Sequence, residues 1–280
     1  MQIRKAERKK AKLRLGIAGA SGSGKTWSAL EIATGMGGKI GMIDTESGRG
    51  ELYGEDFNYD VIRLEAPYSP ARYVEAIKSF ERSGYDILII DSLSHAWSGE
   101  GGVLSIVDKA GGQFQSGWKV GTPQQNLLID NLINSPMHII TTLRVKTEYV
   151  VEKNERGKNE PRKIGLAPIQ RDQLEYEFTV FMTMSQDHIA HVTKDNTKLF
   201  DQQFVKPSNA MGENLMAWLN TGLDANDLVM QEGIAAIEKV STMEAMQETL
   251  KRLKHQYSER FPEQYQAFLK LASEKKDSLA

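Results

Sequence analysis

Residues 19–26 read GASGSGKT. Three glycines and two serines in eight positions have little to pack, so the flanking chain decides their use. Upstream, Leu13, Leu15 and Ile17 alternate with Arg14 and Gly16 and run into Ala18, a short strand pattern. Downstream, Trp27–Thr34 is rich in helix formers, with Leu30 and Ala33 one turn apart. Strand, glycine loop, helix is the setting of a phosphate cradle, and Gly19-x-x-x-x-Gly24-Lys25-Thr26 fits the P-loop spacing without mismatch. Along Gly19, Ala20, Ser21, Gly22, Ser23 and Gly24, small side chains let successive N–H groups converge on phosphate oxygens. The following helix start, through Trp27, adds partial positive charge. Lys25 is expected to reach the β- and γ-phosphates of a nucleotide, and the Thr26 hydroxyl to bind Mg²⁺. A Gly/Ser linker, the competing reading, does not place Gly-Lys-Thr at a strand–helix junction.

The rest of the chain repeats the alternation. Ile40–Asp44 follows a glycine-rich stop, and Val61–Leu64 is short and apolar. Ser69-Pro70 opens a helix with Tyr73, Val74, Ile77 and Phe80 on one face, closed by Gly84. Ile87–Ile90 is a continuous apolar run ending in Asp91, as in a central parallel strand. Thr122-Pro123 opens another helix, Ser135-Pro136 closes it, and His138–Val145 is the next strand. The reading is a doubly wound, mostly parallel α/β sheet. Glu177–Met184 and His188–Thr193 then suggest an antiparallel hairpin extending it. Beyond about residue 221 no strand signal remains. Helices are expected over Asp227–Val240, after a capping box at Ser241-x-x-Glu244, and from Pro262. The division is a basic N-terminal arm (1–12), a core (13–221) and a small helical appendage (222–280).

Composition excludes several classes. With 35 Lys+Arg against 37 Asp+Glu, any polyanion site must be local. No cysteine is present, which removes disulfides and thiolate metal sites. No apolar run suits a membrane span and no signal peptide is visible, so the expectation is cytoplasmic, with no membrane partner. The basic start lacks an apolar stretch and reads as a solvated arm or as a contact to phosphate or a neighbouring subunit. His95 reads as an exposed loop histidine, and no protein metal site beyond Mg²⁺ is suggested.

The carboxylates narrow the chemistry. Asp91, closing DILIID, is the expected Walker B acid, holding Mg²⁺ largely through water. Glu46, in MIDTES just past the second strand, stands where a carboxylate can activate the water that attacks a γ-phosphate, with Asp44 beside it. GASGSGKT, IDTE, ILIIDSLS, TTLRVK and HVTKDN, in that order over roughly residues 13–205, resemble the RecA-type recombinase ATPases. With LEYEF and VTKD, the compact chain looks most like the bacteriophage single-strand-annealing ATPases of the Sak type. The resemblance implies a RecA-like P-loop NTPase fold and ATP with Mg²⁺. It makes Glu46 the catalytic acid, and Tyr53, seven residues on, the adenine-stacking aromatic. Thr142 stands where RecA has a γ-phosphate-sensing Gln. Lys194 matches the first of two lysines that RecA brings to ATP from an adjacent subunit; the second position is Asn196, with Lys198 nearby.

In that family two DNA-binding loops follow the Walker B strand and the strand after it. The first is expected over 94–121, with Trp97, Phe114 and Trp118 as stacking platforms and Lys109 and Lys119 as cations, a composition suited to single strands. Packing of Trp97 and Trp118 against the sheet or a neighbouring subunit is the competing reading. The second follows Leu143, with Arg144, Lys146, Lys153, Arg156, Lys158, Arg162 and Lys163 interleaved with four glutamates; a solvated hairpin competes. The leading reading is an ATPase of DNA recombination. It binds single-stranded DNA and promotes annealing or strand pairing as a filament or ring, in a bacterial host's cytoplasm if phage-encoded. The helical tail is available to a single-strand-binding protein or an exonuclease. An ATP-dependent switch or scaffold for a protein partner and a P-loop small-molecule kinase are the alternatives.

Overall fold

The computed structural model describes residues 6, 8–112, 115–153, 159–259 and 261–279. They form two compact units, one of Lys12–Trp218 and one joining the described residues up to Ala11 with those from Leu219 onward.

The larger unit carries nine strands among the described residues: β1 (Arg14–Gly19), β2 (Ile40–Asp44), β3 (Asp60–Arg63), β4 (Ile87–Asp91), β5 (His138–Lys153), β6 (Asn159–Pro168), β7 (Val180–Met184), β8 (Ala190–Asp195) and β9 (Phe204–Val205). Their order in the sheet is β3-β2-β4-β5-β1-β7-β8-β9, with β6 paired to β5. From β3 to β7 every neighbouring pair is parallel; β8, β9 and β6 join antiparallel. The apolar runs of β1, β2 and β4 are buried at every position, as strands covered on both faces must be.

Helix α1 (Lys25–Met36) follows β1, and α2 (Pro70–Arg82) follows β3. Pro70 at the first helical position and the buried stripe Tyr73, Ile77 and Phe80 place α2 on one face of the sheet. There they share a core with Ile43, Leu88, Ile90 and Ile139 of the strands.

Residues 94–121 differ from the loop expected. They form α3 (Ser94–Ser98), α4 (Val103–Lys109) and the start of α5 (Gln115–Asn134), seven residues before the anticipated Thr122. The glycines that suggested a loop serve packing. A Cβ on Gly121 would lie 2.3 Å from Val107, and one on Gly117 2.5 Å from its carbonyl, so these two let α4 lie against α5. Pro123 sits inside α5.

The segment after Leu143 is also ordered. β5 continues to Lys153 and pairs with β6 from Val145–Pro168 to Lys153–Asn159, with a register shift between Glu148 and Tyr149. Its β-branched residues suit a ribbon better than a loop. The strand expected from Glu177 begins at Val180, because Glu177 ends a 3-10 turn (Leu174–Glu177) that precedes β7. Helix α6 (Asn209–Leu219) ends the larger unit.

In the smaller unit α7 (Ala225–Glu238), α8 (Met243–Tyr257) and α9 (Pro262–Leu279) enclose Val229, Ile237, Met246, Leu253 and Phe268. Thr242, one residue after the expected Ser241, caps α8 by accepting from the Ala245 N–H at 3.2 Å. Of the segment expected as a solvated arm or as a contact to phosphate or a neighbouring subunit, Arg8 and Lys10 pair within this unit. Leu223 N–H donates to the Arg8 carbonyl at 2.8 Å, Lys10 N–H to the Leu223 carbonyl at 2.9 Å, and Lys10 Nζ lies 3.2 Å from Asp224. Among the described residues no helix is long and apolar enough to cross a membrane.

Candidate nucleotide-binding site

The sheet register gathers the site at the carboxyl ends of its strands. Asp44 lies beside Asp91 across β2 and β4, Thr142 is one residue beyond the Ile90–Thr141 pair, and Gly19 lies beside Arg144 across β1 and β5. A cavity of about 510 Å³ opens there, lined by Gly19–Gly22, Gly24, Lys25, Thr26, Glu46, Arg49, Tyr53, Asp91 and Arg144 among others.

The cradle takes its shape from two left-handed glycines, Gly22 (φ 77°) and Gly24 (φ 84°). A Cβ on Gly24 would also lie 2.8 Å from His188 Nδ1. Ser23, fully buried, turns its hydroxyl to the Ala20 carbonyl at 2.9 Å. Helix α1 begins without a side-chain cap or an acid in its first turn, so its first N–H groups are left for an anion. Lys25 Nζ donates to the Ala20 carbonyl at 2.8 Å. Burial lowers its pKa, against the pull of Asp91 and Glu46, and Arg144 lowers it further.

Asp91 is buried, and its carboxylate accepts from the hydroxyls of Thr26 (2.6 Å) and Thr142. Burial raises its pKa against those two bonds, and Glu46 and Asp44 add to the rise. An all-oxygen set, with a buried carboxylate that hydroxyls alone satisfy, fits Mg²⁺, which keeps several waters and takes few protein ligands. Among the described residues no cluster of three or more His, Cys, Asp or Glu could hold a metal.

Glu46 is held by its neighbours. Its N–H donates to Asp44 Oδ1 at 2.6 Å, and Asp44 also accepts from the Gly50 N–H, so the buried aspartate shapes the turn that presents it. Its carboxylate accepts from Ser92 Oγ at 3.0 Å and from Arg144 through Nε (2.8 Å) and Nη2. Burial would raise its pKa, but Arg144 and Ser92 outweigh that and hold it below the ordinary carboxylate value. His95 stacks on Tyr68 at 4.8 Å and its Nδ1 is 2.8 Å from Thr45 Oγ1. Burial and Arg144 lower its pKa.

Trp27 and Tyr53 meet edge to face at 5.6 Å and border a second cavity of about 620 Å³ with Glu31, His188, Lys206 and Pro207. Gly22, Gly24 and Tyr53 line both cavities.

Other expected site residues lie elsewhere. Lys194, expected at the ATP of an adjacent subunit, lies outside both cavities of its own chain, its ammonium donating to the carbonyls of Glu175 (3.1 Å) and Tyr176 (2.6 Å). Trp97 and Trp118 are half-buried and stack on each other, 5.9 Å between centroids at 28°. Lys109, Lys119 and Lys146 are exposed. Phe114, Arg156 and Lys158 lie outside the described residues, and Lys153, Arg162 and Lys163 are placed only by strand register. Arg144, expected among the DNA-loop cations, instead lines the cavity. Sequence reading missed that, along with Ser92 and Arg49. The parity of a strand carries the signal: Thr142 and Arg144 share a face, and Thr142 faces Asp91.

No curated protein matches the chain. Ninety chains of solved structures do. One is described as a prototypical ATPase from the type III secretion system of pathogenic bacteria, 12% identical with a TM-score of 0.40. The match covers 81% of this chain and 63% of that one. A family model described as an AAA domain matches residues 11–210. The chain belongs to the AAA domain family of P-loop ATPases.

Proposed function

We propose that the chain binds and hydrolyses Mg²⁺-ATP and couples this to single-stranded DNA, promoting annealing or strand pairing as an oligomer. The observation that carries the ATPase part is one cavity lined by the P-loop, Lys25, Thr26, Asp91 and Glu46 together. The cradle N–H groups and Lys25 bind the phosphates, and the second cavity, bordered by Trp27 and Tyr53, takes the base. Mg²⁺, held by Thr26 and through water by Asp91, would neutralise charge on the β- and γ-phosphates. Glu46 orients a water toward the γ-phosphorus and takes its proton. The bond to the bridging oxygen breaks and its electron pair leaves with ADP. A carboxylate lining the same cavity as the P-loop favours water as acceptor over a kinase's substrate hydroxyl.

Support for the DNA part is positional. α3–α5 and the β5–β6 ribbon both follow the carboxyl ends of core strands, where ligands of such sheets bind, and Lys109, Lys119 and Lys146 are exposed on them. The mutual stacking of the two tryptophans shifts the expected weight from base stacking to phosphate contact.

Lys25→Ala should abolish nucleotide binding. Glu46→Gln should keep binding and lose at least about 100-fold in turnover, on the scale of a general base; undiminished turnover would remove Glu46 from the role. DNA coupling is tested by ATP hydrolysis with and without oligo-dT and by affinity against salt. Each neutralised phosphate should contribute a slope of about −0.7 in log K against log salt. A flat response without stimulation of hydrolysis would instead favour a switch acting on a protein partner.

A further inference from the structure

Arg144 meets Glu46 inside the cavity that also holds Lys25 and Thr26. The guanidinium grips the carboxylate as a two-pronged fork, Nε to one oxygen and Nη2 to the other. A phosphoryl group offers such a fork the same paired oxygens, with more charge. The backbone of Arg144 is pinned. Its N–H donates to Ser94 Oγ at 2.9 Å, and its carbonyl accepts from the Ile169 N–H at 2.7 Å. The side chain is 46% exposed while that of Glu46 is 13% exposed, so the arginine is the partner with room to swing. Its field already reaches Lys25.

We infer that Arg144 exchanges partners, leaving Glu46 for the terminal phosphate of a bound triphosphate and so releasing the acid to hold the attacking water. The inference rests on the ATPase reading above. A diphosphate offers no such phosphate, and with it the fork stays on Glu46. The exchange also changes the acid: the arginine is the main partner holding Glu46 below the ordinary carboxylate value, and its departure leaves burial opposed only by Ser92 and His95, which makes Glu46 a better proton acceptor than before.

The test is a calorimetric titration of ADP and of a non-hydrolysable ATP analogue, each with Mg²⁺, into Glu46→Gln and into Glu46→Gln/Arg144→Gln. The shared Glu46→Gln background keeps the loss of the arginine from leaving a bare carboxylate facing the phosphate. Arg144→Gln should weaken the analogue at least tenfold and ADP less than twofold. Glu46→Gln/Arg144→Lys, which keeps the charge without the fork and is the fallback should the glutamine variant unfold, should give an intermediate ratio. An analogue-to-ADP ratio unchanged in both double variants overturns the exchange and leaves the ATPase reading intact. A wild-type chain that binds neither nucleotide overturns both.

Discussion

Asp91 is a carboxylate buried with only hydroxyl donors for company, an arrangement that suits a cation and costs the fold. Its pKa is raised by burial, so the folded state resists its ionisation. Asp91→Asn should therefore stabilise the chain while removing ATP turnover. The sign follows from linkage. Below the ordinary value of 3.8 the wild-type acid is protonated whether folded or not, and the variant gains nothing. The gain grows as pH climbs to the raised folded value and is constant above it. Melting curves from pH 3 to 8 should show a Tm advantage that appears as pH rises and persists at neutral pH; an advantage that grew toward acid would contradict the account. At this scale the P-loop was legible because its chemistry lies in eight consecutive residues. The place of Arg144 was not, because it depends on a register between β1 and β5, 125 residues apart at the Gly19–Arg144 pair. Once Thr142 was read as facing the site, Arg144 two residues on was readable by alternation.

Among the elements, α5 shows how one buried residue can close a helix. Arg14 in β1 donates to the carbonyls of Leu13 (2.8 Å), Met137 (2.8 Å), Ile133 (2.7 Å) and Ser135 (2.6 Å), the last two at the end of α5. Burial lowers its pKa to about 10, still well above neutrality, so it binds as a cation. Arg14→Met should take the guanidinium from the carbonyls of Ile133, Ser135 and Met137, while that of Leu13 keeps the Ile139 N–H, and cost about 2–4 kcal/mol, at roughly 1 kcal/mol per lost bond. Urea unfolding should report it as a lower midpoint, with nucleotide affinity unchanged; a midpoint equal to wild type would mean that the carbonyls find other donors. The parallel strands and α2 were legible because apolar runs and a Ser-Pro start speak locally. Residues 94–121 were misread because Gly117 and Gly121, which punctuate the sequence like a loop, are the small face on which α4 lies. For the segment after Leu143 the competing hairpin reading matches the β5–β6 pairing; the charges alone had favoured a loop.

Among the described residues each compact unit packs around apolar side chains of its own. Phe268, fully buried, anchors the helical unit with Met246 and Leu253. Phe268→Ala should cost that unit about 3–5 kcal/mol and leave the ADP affinity of the larger unit within twofold. Hydrogen exchange should rise in α7–α9 and not in β1 or β4; equal loosening throughout would show one cooperative block. The larger unit is inserted between the two pieces of the smaller one, since Arg8 and Lys10 pair with Leu223. The ribosome must therefore synthesise more than two hundred residues after Lys10 before Leu223, its partner, exists. A nascent chain stalled before Leu219 would carry the whole sequence of the ATPase unit while Lys10 still lacked the Leu223 carbonyl it binds.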